Sequence, residues 1–248
     1  MATPARTAIE RDSPALHERL DGLDWARIER DLDAYGHATT GPLLTPEECA
    51  AVTAMYGEPA RFRSRIDMRR HAFGAGEYQY FAYPLPKIVA ALRRATYPRL
   101  APIANRWSEA LGLGAPYPPD LDAYLELCHA SGQRRPTPLL LKYGPGDYNR
   151  LHQDLYGRLH FPMQMAILLS APGRDFTGGE FVLTEQRPRT QSRVEVVPLG
   201  EGEGVIFAVN FRPTRGARGY YRLAMRHGVS RIRSGARYTL GIIFHDAA

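Results

Sequence analysis

The chain has 248 residues, 44% of them hydrophobic and 23% charged, with 23 Gly and 20 Pro, enough to bury one substantial core and too ordered a composition for a disordered linker protein. Its apolar runs fall far short of the ~20 residues that span a bilayer, its first ten residues lack the apolar centre of a secretory signal, and Cys49 and Cys128 stand too far apart for a C-x-x-C zinc or redox motif, so a cytoplasmic chain with no membrane partner is expected. The formal charge is +6, from 32 Lys+Arg against 26 Asp+Glu; all the cations except Lys87 and Lys142 are arginine, which fits either an anionic partner or a bias of composition alone.

Leu16, Leu20 and Leu23, then Ile28, Leu32 and Tyr35 ahead of Gly36, recur at helical spacing, with Asp24 as N-cap. Thr45, Pro46 and Glu48 form a capping box with proline at the first helical position, predicting a helix through Val52 and Met55. Leu85, Ile88, Val89 and Leu92 continue the pattern, which resumes after Pro98 with Leu100, Ile103, Trp107 and Leu111. Leu121, Tyr124, Leu125 and Cys128 predict one more short helix. The front, residues 1–136, is therefore expected to be mostly helical apart from 61–83, and to belong to the same domain as residues 137–248.

From Thr137 the pattern changes to short apolar or alternating runs bounded by Gly and Pro: 139–143, 163–171, 180–184, 194–197, 204–209, 220–225 and 238–244. These read as strands. Seven strands with no helical pattern between them exclude a parallel α/β sheet and leave a sandwich, jelly roll or barrel over 137–248, with the helices as a layer on one outer face. Gly178-Gly179 reads as a hairpin turn.

There is no G-x-S-x-G elbow, Walker loop, dinucleotide glycine pattern or H-E-x-x-H helix. What remains is His152-Gln153-Asp154. On a strand, residues two apart share a face and can reach one metal ion, although the same pair also occurs as a hydrogen-bonded surface couple. A two-histidine, one-carboxylate facial triad needs a second histidine from a distant strand, and His227, after the run 220–225, is so placed. Ten residues on, Arg237 opens the last strand, where burial is costly unless the guanidinium meets an anion. A protein carboxylate or a bound dicarboxylate would serve.

With these residues the sequence resembles the Fe(II)/2-oxoglutarate-dependent dioxygenase superfamily over about 137–246. Lys142-Tyr143-Gly144-Pro145-Gly146, Gly178-Gly179-Glu180-Phe181 and Arg237-Tyr238-Thr239 resemble its prolyl-4-hydroxylase-type members. The resemblance implies a double-stranded β-helix, with iron on His152, Asp154 and His227 and the distal carboxylate of 2-oxoglutarate on Arg237, joined by Tyr143. Dioxygen is then the second co-substrate, and substrate C–H hydroxylation with release of succinate and carbon dioxide the reaction.

The stretch 61–83 bears on the substrate. Arg61, Arg63, Arg65, Arg69 and Arg70 alternate with Phe62, Phe73, Tyr78, Tyr80 and Phe81, the parts of a nucleic-acid groove in which arginines follow phosphates and aromatics receive bases. The alternative is a β-hairpin with an apolar core and a solvated arginine face. Arg212, Arg215, Arg218, Tyr220, Tyr221 and Arg222 offer a second basic wall. The whole chain also resembles a bacterial oxygenase family linked to oxidative dealkylation of damaged DNA, which implies a nucleic-acid partner. The best-known nucleic-acid dealkylases end R-x-N-x-T-x-R; this chain, reading Arg237-Tyr238-Thr239-Leu240-Gly241-Ile242-Ile243, lacks that Asn and second Arg and sides with the hydroxylases. A protein or small-molecule hydroxylase, or a jelly-roll binding module without catalysis, therefore stays open.

Overall fold

A computed structural model describes residues 14–114, 116–155, 157–187, 189–217 and 219–248. The expected front helices form as α1 (Pro14–Asp21), α2 (Trp25–Tyr35) and α3 (Pro46–Ala54). The Asp24 side chain caps α2 by accepting from the Arg27 backbone N–H, and Thr45 and Glu48 satisfy each other's backbone N–H groups at the start of α3. The two patterns flanking Pro98 are a single helix, α4 (Lys87–Ala110), with Pro98 and Pro102 inside it. Both prolines lie on its exposed side, where water can take the freed carbonyls, while Leu92, Leu100, Ile103 and Trp107 bury the opposite stripe. Helix α5 spans Leu121–Ala130.

The front also contributes strands: β1 (His37–Pro42), β2 (Phe62–Asp67), the two-residue β3 (Gly74–Ala75) and β4 (Glu77–Phe81). After them come β5 (Leu139–Tyr143), β6 (Tyr148–His152), β7 (Met163–Leu168), β8 (Phe176–Gly178), β9 (Phe181–Gln186) and β10 (Arg193–Val197). The last are β11 (Glu203–Ala208), β12 (Phe211–Gly216), β13 (Gly219–Val229), β14 (Ile232–Gly235) and β15 (Arg237–Ile242). One sheet runs β1-β11-β7-β15-β5-β4-β2 and faces another of order β10-β9-β13-β6-β3, with β12 on β13. The result is the double-stranded β-helix, or jelly roll, with β1, β2 and β4 widening the larger sheet.

Alternation along the larger sheet separates two cores. Leu140, Met165, Ile167, Ile206, Leu240 and Ile242 face outward and pack with the helices in one apolar cluster, so the helical layer does cover one outer face. Leu139, Tyr143, Leu168, Ala166, Val205 and Phe207 face the second sheet.

Gly178-Gly179 is not a hairpin turn. Both residues are left-handed, at φ 72° and 67°, as a two-residue turn requires, but β8 pairs with β14 while β9 pairs with β10 and β13. The bend carries the chain from one sheet to another. Among the described residues no helix is long and apolar enough to cross a membrane.

Candidate metal centre and co-substrate pocket

Strands β6 and β13 pair so that His152 and His227 are direct cross-strand partners, with ring centroids 4.2 Å apart. Strand β6 ends at His152, so Asp154 stands just beyond the strand rather than within it. The chain still turns its carboxylate between the imidazoles, 3.4 Å from His152 Nε2 and 3.3 Å from His227 Nε2. One ligand atom from each of the three residues lies within 4.8 Å of the others. The His152 Nδ1–H donates to the Arg150 carbonyl at 2.7 Å, which fixes the tautomer and leaves the Nε2 lone pair facing Asp154. Burial alone would push the Asp154 carboxyl up, but the two imidazoles outweigh it and hold the group well below 3.8. His227 is lowered by its own burial and by His152. Burial works against a charged His152 as well, but the Asp154 carboxylate outweighs it and raises the imidazole's pKa. Two neutral-capable imidazoles and one carboxylate on a buried face form the donor set that suits Fe(II).

Arg237 and Tyr143 are cross-strand partners on β15 and β5, both essentially inaccessible to water. The guanidinium carbon lies 5.8 Å from the centroids of both the Tyr143 and Phe176 rings, and Nη1 donates to Thr239 Oγ1 at 2.6 Å. Among the described residues no carboxylate is within ion-pair distance of Arg237, and neither its Nε nor the Tyr143 hydroxyl meets a partner at normal geometry. Burial pulls the Arg237 pKa down to about 10. Glu180 acts on this charge only from beyond ion-pair distance, so the described residues leave a place for an anion, and a dicarboxylate matches Arg237 and Tyr143 in charge and hydrogen bonding.

Two glycines shape this seat: Gly179, which the sequence marks only as part of a turn, and Gly76, which it does not mark at all. A Cβ on Gly179 would stand 2.9 Å from Arg237 Cδ and collide with Ile232 Cδ1; one on Gly76, at φ 118°, would stand 2.7 Å from Tyr143 Cδ1. Positive φ was legible at the Gly-Gly pair, but the close approach to Arg237, from 58 positions away, was not.

Triad, Arg237 and Tyr143 open on one cavity of about 200 Å³, whose wall includes Phe73, Tyr78 and Tyr80. Among the arginines of 61–83, Arg63 reaches that wall: it lies 4.4 Å over the Tyr80 ring and donates to the Pro136 carbonyl. The others follow carboxylates. Arg61 pairs with Glu58, Arg65 with Glu77, Arg69 with Asp147, and Arg70 stands 3.8 Å from Asp67. In the second basic segment Arg212 is buried against Glu185, and Arg218 lies outside the described residues.

A jelly roll that brings two histidines and an aspartate to one cavity with a buried, anion-seeking arginine defines an Fe(II)- and 2-oxoglutarate-dependent dioxygenase, with dioxygen as its other co-substrate. The chain belongs to a family of oxygenases described as catalysing oxidative methylation of damaged DNA, whose model matches residues 76–247. An uncharacterized protein of Mycobacterium tuberculosis, found in strains CDC 1551 and H37Rv, is 54% identical over 168 residues, 68% of this chain and 72% of the relative. Among solved structures, a Pseudomonas putida prolyl-4-hydroxylase is similar at TM-score 0.54 and 14% identity, over 90% of this chain and all of that one. A 2OG-Fe(II) oxygenase family oxidoreductase from Burkholderia pseudomallei is similar at TM-score 0.50 and 16% identity, over 92% and 94% of the two chains. At these identities the likeness is one of fold.

Proposed function

We propose that the protein removes alkyl groups from damaged nucleic-acid bases, with His152, Asp154 and His227 as the iron ligands and Arg237 and Tyr143 as the seat of 2-oxoglutarate. The observation that carries this reading is the aromatic wall of Phe73, Tyr78 and Tyr80 beside the triad, in a chain whose family is described by its action on damaged DNA. Phe73 is 43% exposed and stacks on His71 with centroids 5.4 Å apart, an open aromatic pair at the cavity on which an unstacked base can rest.

Iron, 2-oxoglutarate and dioxygen together supply the oxidation of a substrate C–H to C–OH, with succinate and carbon dioxide as co-products. On an N-methyl group the hydroxymethyl product falls apart into formaldehyde and N–H, so the methyl group is removed rather than added. The protein's own part is positional. Arg237 and Tyr143 hold the distal carboxylate, Asp154 and the imidazoles hold the metal, and the apolar wall excludes water from the carbon being oxidised.

Succinate release in the presence of a methylated single-stranded oligonucleotide, compared with a proline-containing peptide, tests the reading. Stimulation by the oligonucleotide, weakening as salt rises, is expected; stimulation by the peptide alone would replace it with a protein hydroxylase.

A further inference from the structure

Gln164 is a buried polar side chain of the cavity that neither the triad nor the co-substrate seat explains. It stands on β7, 5% exposed, lines the cavity, and its amide nitrogen has no hydrogen-bond partner among the described residues. A buried donor left unmet is costly, because it has given up its hydrogen bonds to water for none in return. By contrast Gln153, the cavity's other glutamine, is committed to the fold, donating to the carbonyls of Asn210 and Met225 at 2.9 and 2.8 Å.

Strand register locates the unmet amide. Gln164 faces Phe207 across β11, and the Phe207 ring lies 4.6 Å from that of His227, so the amide is on the triad's side. Across β15, Ala166 faces Gly241 and Met165 faces Ile242. Continuing that register sets Gln164 level with Ile243, six residues beyond Arg237 and so roughly 20 Å further along the strand at ~3.3 Å per residue. Gln164 and Arg237 therefore enter the one cavity from different levels of the larger sheet, with the amide beside the triad.

We infer that Gln164 reads the target, its N–H donating to an acceptor beside the carbon that is oxidised. This rests on the nucleic-acid reading and narrows it: the favoured base carries a ring carbonyl next to the alkylated nitrogen, as 3-methylcytosine and 3-methylthymine do, rather than an amino group alone, as in 1-methyladenine. A pocket built to hydrogen-bond a group discriminates strongly against analogues that leave its own polar atom unmet.

The test is binding of free 3-methylcytidine to protein loaded with Mn(II) and 2-oxoglutarate without dioxygen, in wild type and in Gln164→Leu, with 2-oxoglutarate affinity measured on the same samples. Nucleoside binding at least tenfold weaker in the variant, with 2-oxoglutarate affinity within twofold of wild type, is the expected result. The inference is overturned if both proteins bind the nucleoside equally, if wild type binds none, or if the variant loses 2-oxoglutarate affinity instead. Gln164→Met substitutes if the leucine variant does not fold. Nucleoside bound but no formaldehyde from a methylated oligonucleotide would count against the nucleic-acid reading and leave the role of Gln164 standing.

Discussion

Arg237 carries its charge into the barrel with two aromatic rings and one threonine hydroxyl for company. Stability alone would not keep it there, because a buried cation without a carboxylate costs more than a well-packed apolar side chain. Arg237→Met is therefore expected to raise the Tm of the ligand-free protein by a few degrees, at about 2–4 °C per kcal/mol for a chain of this length. It should also raise the KM for 2-oxoglutarate at least tenfold while leaving iron affinity intact. A thermal scan and a co-substrate titration check both; a lower Tm would mean that Arg237 has a balancing partner in the fold.

His245 is a second residue whose burial has a measurable consequence. Its Nδ1 accepts the Phe161 backbone N–H at 3.2 Å, and burial, then His160 and Arg93, press its pKa from 6.5 down to about 4. Between those two values the unfolded chain takes up a proton that the folded chain refuses. Stability is thus full above about pH 6.5 and falls as the pH drops toward 4, by about 3 kcal/mol for this residue. His37 and His160, also lowered by burial, act in the same direction. Urea midpoints at pH 7.5 and 5 should differ strongly in wild type and less in His245→Gln; an equal difference in both would remove His245 as a cause.

Among the elements, the strand change at Gly178-Gly179 serves the site most directly, because it lets the backbone pass close behind Arg237. Gly179→Ala forces a left-handed residue to carry a Cβ against Ile232 and Arg237, a strain of about 1–3 kcal/mol. Its expected effect is a several-fold higher KM for 2-oxoglutarate with little change in metal affinity; an unchanged KM would show that the seat tolerates the methyl group. This arrangement was only half legible in sequence. Left-handed glycines look the same in a hairpin and in a sheet crossing, since strand partners are chosen by residues far away. The capping box of α3 and the Asp24 cap were readable because their signals lie within four residues. Strand β1 was not, being short, edge-placed and ending in Gly-Pro. The continuity of α4 through Pro98 and Pro102 was hidden because burial of one helix face outweighed a local rule against proline.

At the scale of the whole molecule, the candidate site was legible where chemistry constrains spacing, and obscure where long-range pairing decides. His152, Asp154, His227 and Arg237 could be picked out by order and spacing. Asp147, the carboxylate that meets Arg69, could not, since it is 78 residues away, whereas Glu58 and Asp67 lie within three residues of Arg61 and Arg70. Nor could Gln164, which in sequence is one polar letter in the strand Met163–Leu168. The charge of +6 is accordingly less of a continuous phosphate track than the sequence suggests, and the aromatic wall of the cavity carries more of the substrate argument. The C-terminus is tied to the helical layer by the fully buried pair Arg93–Asp246, joined by His129 and Tyr83, which links the helices to the end of the chain that leads out of β15.

Oxidative demethylation of DNA by this protein is read from the ratio of formaldehyde to succinate released from single-stranded DNA carrying N-methylated bases, with Fe(II), 2-oxoglutarate and dioxygen supplied. Close to one formaldehyde per DNA-stimulated succinate, lost in His152→Ala, is the expected result; succinate that does not respond to methylated DNA, with no formaldehyde, would contradict the claim.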